Sequence, residues 1–151
     1  MKTLILTALS VLIPYSAFAT DALTIEKPYI YTPLKGAPAT GGYGVFKNNS
    51  KEPLKVSIEK ADGFKAVEMH ESLMKDGRMA MQRIESISIE KNKEFILKPG
   101  GHHIMLFDAT KEFKDGDKTK VTFKVNGKPA TYEFTLEPRV KNEDKEHHHH
   151  H

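Results

Sequence analysis

Residues 121–136 read Val121-Thr-Phe-Lys-Val-Asn-Gly-Lys-Pro-Ala-Thr-Tyr-Glu-Phe-Thr-Leu136. Val121, Phe123 and Val125 alternate with polar residues before Asn126-Gly127, and Tyr132, Phe134 and Leu136 do the same after it. A period of two places one face of a strand inward and the other in water. Asn-Gly accepts the positive φ angles of a tight hairpin turn better than other dipeptides. This stretch is therefore expected to form an antiparallel β-hairpin, and it sets the pattern against which the rest of the chain is read.

Working outward, short β-type runs recur at 22–26, 43–46, 54–59, 66–71, 78–83, 85–90, 94–97 and 103–107, ahead of the hairpin runs 120–125 and 131–136. A spacing of about ten residues between such runs is expected of an all-β sandwich or barrel. Asp62-Gly63, Asp76-Gly77, Gly100-Gly101 and Asp115-Gly116 punctuate them with residues suited to turns. There is no convincing helical period and no internal repeat. Asn48-Asn49-Ser50 formally matches a glycosylation acceptor, a pattern short enough to arise by chance.

The ends read differently. Lys2, an apolar run over 4–14 and Ala17-Phe18-Ala19 have the form of a secretory signal peptide, expected to be cleaved after Ala19. The run is shorter than the roughly 20 residues of a membrane-spanning helix. A signal peptide over 1–19, one β-domain over 20–140 and a disordered charged tail over 141–151 are thus expected, with the mature protein periplasmic and free of a membrane span. The tail ends in five histidines, His147 to His151, either native or an added affinity tag.

Without Lys2 the balance is 22 basic against 20 acidic residues, with the signs interleaved. No basic face or groove-reading motif suggests nucleic acid. The absence of cysteine removes disulfides, thiolate zinc sites and Cys-containing blue-copper centres from consideration. No serine sits in a nucleophile motif and no carboxylate–histidine cluster stands apart, so an enzyme is not expected.

Soft and borderline metal ligands are few and grouped. Apart from Met1 and the tail, the histidines are His70, His102 and His103 and the methionines Met69, Met74, Met79, Met81 and Met105, all within 69–105. Strand parity puts His103 and Met105 on one face and His102 on the other; Met79 and Met81 share a face, and Met69 opposes His70. Methionine on a strand more often packs than ligates. When it does ligate, thioether sulfur is soft and selects Cu(I), with imidazole a compatible partner.

The spacing His70, ten residues, Met81, twenty-one residues, His103, one residue, Met105 resembles the H-x10-M-x21-H-x-M signature of the PCuAC family of periplasmic copper chaperones. The segments Val67-Glu-Met-His70, Arg78-Met-Ala-Met-Gln-Arg83 and Leu97-Lys-Pro-Gly-Gly-His-His-Ile-Met-Leu106 are similar to those carrying that family's site, and Gly42-Tyr-Gly-Val-Phe-Lys-Asn-Asn49 adds weaker similarity. The resemblance implies a cupredoxin-like Greek-key β-sandwich, Cu(I) ligation by His70, Met81, His103 and Met105, and Met79 as a neighbour of the ligands. It also implies delivery of copper to the copper sites of cytochrome c oxidase, alongside Sco-type proteins; the carrier is expected to be a monomer. A periplasmic copper buffer or resistance protein would need the same ligands. A native histidine tail would add a second site, suited to Cu(II).

Overall fold

The computed structural model describes residues 22–139; the expected signal peptide, its cleavage point, residue 140 and the tail over 141–151 lie outside the described residues. The described chain forms ten strands: β1 (Leu23–Tyr31), β2 (Ala39–Asn48), β3 (Leu54–Ala61), β4 (Phe64–Lys75), β5 (Arg78–Ile84), β6 (Ile87–Ile89), β7 (Glu94–Leu97), β8 (His102–Ala109), β9 (Lys118–Val125) and β10 (Lys128–Glu137). Each expected run falls on one of them, and no helix occurs among the described residues.

The hairpin at 121–136 is β9–β10, paired antiparallel from Val125↔Lys128 onward. Asn126 (φ 48°) and Gly127 (φ 81°) both take the positive angles of a primed turn. Asn126 also stitches the turn to β3: its Oδ1 accepts the Lys55 N–H at 2.8 Å, and its own N–H donates to the Lys55 carbonyl at 2.9 Å. Asp76 (φ 52°) and Gly77 (φ 74°) turn β4 into β5 in the same way.

Hydrogen bonding runs in the order β5-β4-β8-β2-β1-β10-β9-β3-β6, and β7 pairs with β2 beyond the end of β8. β1 and β10 are parallel, while the other described pairings are antiparallel. The ladder folds on itself, so that β3 packs against β4 and the Phe46 ring of β2 meets the Phe123 ring of β9 edge-on at 5.3 Å. Two layers thus face each other across one core containing Phe46, Phe123, Phe134, Ile30, Leu106 and Val121, all fully buried. Burying each such side chain is worth roughly 1.5–3 kcal/mol, and with no disulfide available the core supplies the stability.

β1 and β2 reach further than the expected runs. Gly41 and Gly42 lie within β2 because packing requires them: a Cβ on Gly42 would come within 3.2–3.4 Å of Leu106, Ile30 and Ile104. β1 continues to Tyr31 past an irregularity between Glu26 and Tyr29, where Lys27 takes φ 47° and Pro28 has no N–H to offer the ladder. Asn48, first residue of the glycosylation-like tripeptide, is buried, with its amide donating to the Glu52 and Ile89 carbonyls. No helix among the described residues is long and apolar enough to cross a membrane.

Candidate metal centre

β4 and β8 run antiparallel with His70 opposite His103, Glu68 opposite Met105 and Glu71 opposite His102. Directly opposed residues share a face, so the register brings His70, His103 and Met105 together. The two imidazole rings lie 5.8 Å apart, centre to centre. His103 is 4% exposed and the His70 side chain 14% exposed.

One nitrogen of each ring is already engaged. His103 Nδ1 lies 2.9 Å from the Gly101 carbonyl, which can only accept, so Nδ1 carries the hydrogen. His70 Nε2 lies 2.7 Å from Glu68 Oε2, and the other oxygen of that carboxylate is 3.3 Å from Arg83 Nη1. The remaining nitrogens, His70 Nδ1 and His103 Nε2, are buried and have no hydrogen-bond partner. Leaving a buried polar atom unpaired costs about 1–3 kcal/mol. Two such atoms on facing strands, each with its tautomer set by the opposite ring nitrogen, are lone pairs prepared for an electron-pair acceptor.

Met105 and His103 line a surface pocket shared with Met81, Tyr43, Gly41 and Arg139. Met81 reaches it from β5, where it pairs with Ser72, and is 62% exposed. The structure thus joins three of the four residues singled out by spacing in one pocket, with the His70 ring beside that of His103, tilted by 38°. Met69 points into the core and is 1% exposed. His102 lies on the opposite face, 3.4 Å from Glu71 Oε1 and edge-on to Phe95 at 4.8 Å. Among the described residues no three His, Asp or Glu side chains converge, so any multidentate set here has to recruit thioethers. The larger cavity of about 560 Å³ beside Leu34, Lys65 and Phe113 contains neither His nor Met.

Parity alone did not reveal the groups that shape this centre. Glu68 and Gly101 orient the histidines. Tyr43 stands 6.5 Å from His103 and leads a cluster with Tyr29 and Tyr31 at 5.1 and 5.3 Å. Burial, then the neighbouring Tyr31, pushes the Tyr29 phenol up to about 12, and burial raises Tyr43 as well. Gly41 makes room for Tyr43, since a Cβ there would overlap the Tyr43 hydroxyl. The Arg139 guanidinium sits 5.2 Å over the Tyr31 ring at the pocket rim.

Several known structures share this architecture. The apo PCuAC domain from PmoF1 superposes with TM-score 0.65 at 20% identity, over 80% of this chain and 98% of that one. The copper-bound PCuAC domain from PmoF2 gives 0.65 at 21%, over 80% and 97%. The solution structure of CuI-DR1885 from Deinococcus radiodurans gives 0.62 at 17%, over 83% and 86%. The fold is therefore that of PCuAC domains, a cupredoxin-like Greek-key β-sandwich. "Putative lipoprotein Lxx21020" of Leifsonia xyli subsp. xyli is 27% identical over 105 residues, which are 69% of this chain and 62% of that relative, so the match spans about three-fifths of its length. The family profile described as "LpqE-like: Putative lipoprotein LpqE-like" matches residues 23–136, most of the chain and all ten strands but for Glu137 at the end of β10. By that match, the chain belongs to the LpqE-like family.

Proposed function

We propose that this protein is a copper carrier of the cell envelope, holding Cu(I) between His70 Nδ1, His103 Nε2 and the thioethers of Met81 and Met105. The observation that carries this reading is the pair of buried, unpartnered imidazole nitrogens on facing strands, beside the pocket holding both thioethers. Two neutral imidazoles and two neutral thioethers suit a soft monovalent ion. Copper is also named for two of the structures that share the fold. Transfer needs no catalytic group, only stepwise ligand exchange.

Exposure favours hand-over above storage. Met81 is open to solvent whereas His103 is buried, so an acceptor can displace the outer thioether while the histidines still hold the ion. The resemblance of the motif directs delivery toward the copper sites of cytochrome c oxidase or a Sco-type protein. A leader over 1–19 and the lipoprotein family description both support export. In this reading the exported carrier acts as a periplasmic monomer. If native, the five terminal histidines would take Cu(II) separately.

The test is X-ray absorption on anaerobically loaded protein lacking those five histidines. One Cu(I) per chain with mixed nitrogen and sulfur scattering is expected, and the Met81→Leu, Met105→Leu double variant should lose the sulfur shell. Absence of stoichiometric Cu(I), or a sulfur-free shell indifferent to the substitutions, would return these methionines to a packing role.

A further inference from the structure

Five large apolar side chains are exposed among the described residues: Leu34, Ile96 and three methionines, Met74 (64%), Met79 (61%) and Met81 (62%). All three methionines belong to the β4–β5 hairpin. Met74 pairs directly with Met79, Ser72 with Met81 and His70 with Arg83. Opposed residues and residues two apart share a face, so His70, Ser72 and Met74 on β4 and Met79, Met81 and Arg83 on β5 form one surface. That surface continues through His103 and Met105 of β8.

Burial does not account for the Met74–Met79 pair, because neither side chain reaches the core. Nor does the turn require it, since the flanking Lys75 and Arg78 pair and Asp76-Gly77 supplies the turn conformation. What distinguishes the pair chemically is two thioethers on directly opposed residues, whose Cβ atoms in such pairs lie about 4.5–5.5 Å apart. Side chains this long and flexible can close that gap on one soft ion. Met79 is also one strand repeat, about 7 Å, from Met81.

We infer that Met74 and Met79 form an outer Cu(I) station at the hairpin tip, through which the ion passes to and from the inner set. The inference rests on the copper-carrier reading above. In the loading direction the two thioethers replace donors of the incoming complex. Met81 then displaces one of them, and the free nitrogens of His103 and His70 with Met105 complete the transfer. Copper stays Cu(I) throughout, and no proton moves at the thioethers, which do not titrate. β5 closes the hydrogen-bonded order, pairing only with β4 among the described residues, so its outer edge leaves the station open to a partner.

The test compares the full chain with its Met74→Leu, Met79→Leu variant, which keeps the apolar pair and removes only sulfur. Both carry the same terminal histidines. Mixed anaerobically with Cu(I) bicinchoninate, whose colour fades as copper leaves, the variant should reach the same final occupancy with loading slowed about tenfold. In a second protein, Met81→Leu with Met105→Leu, the ¹³C-methyl resonances of Met74 and Met79 should still shift on adding Cu(I). Unchanged loading together with unmoved methyl resonances would overturn the outer station and leave the inner site standing. If the unsubstituted chain takes no Cu(I) at its histidines, the carrier reading fails and this inference falls with it.

Discussion

Glu68 does more for the centre than its surface position suggests. By accepting the His70 Nε2–H it turns Nδ1 inward, and Arg83 steadies the carboxylate in turn. Partners of this kind typically contribute 10–100-fold to metal affinity. Glu68→Ala is therefore expected to weaken Cu(I) binding by about 10–100-fold while barely moving thermal stability; competition with a Cu(I) chelator measures the first and calorimetry the second. An unchanged affinity would mean that His70 does not need its orienting carboxylate. The candidate ligand types and their parity could be read from the chain alone, because i, i+2 alternation is a local property. Glu68 and Gly101 could not, since which carboxylate or carbonyl reaches a ring nitrogen depends on rotamers and on the turn before β8.

At the scale of elements, the ten strands were visible as ten β-type runs, Asn126-Gly127 located a hairpin, and Asp76-Gly77 marked a turn. Positions judged by propensity were less legible. The run expected over 43–46 starts four residues earlier, at Ala39, and Gly41 and Gly42 lie inside β2, where neighbouring side chains occupy the space a Cβ would need. Tertiary crowding overruled the local preference there. Asn126 shows the opposite case, in which turn chemistry and tertiary contact agree. Asn126→Ala removes a residue tolerant of φ 48° and the bond from Lys55. We expect a loss of about 1–2 kcal/mol in denaturant unfolding. A loss near zero would show that the turn is held by Gly127 alone.

On the scale of the whole molecule, strand spacing pointed to an all-β sandwich or barrel and the family resemblance to the sandwich, but the order of strands did not follow from spacing. The parallel contact of β1 with β10 joins residues more than a hundred positions apart, and no local pattern encodes it. This contact lies beside the tyrosine cluster, which ties stability to alkaline pH. Tyr29 keeps its proton to about 12 when folded, whereas an unfolded tyrosine releases it near about 10. The unfolded state therefore binds fewer protons between those values, and folding stability should fall as pH rises from about 10 towards 12. Unfolding midpoints across that window, with phenolate absorbance, test this; Tyr29→Phe should flatten the decline.

The pairing of β1 with β2 also gives the molecule two unlike poles. Leu23 pairs with Asn48 at one end of β2, whereas Gly41, Tyr43 and Arg139 surround the pocket at the other. At about 3.4 Å per residue, these ends of β2 are about 24 Å apart. A leader or tether joined ahead of residue 22 would hold the protein by its blunt end, with the metal centre facing away from whatever surface anchors it. Arg139, the last described residue, lies instead at the rim of the centre.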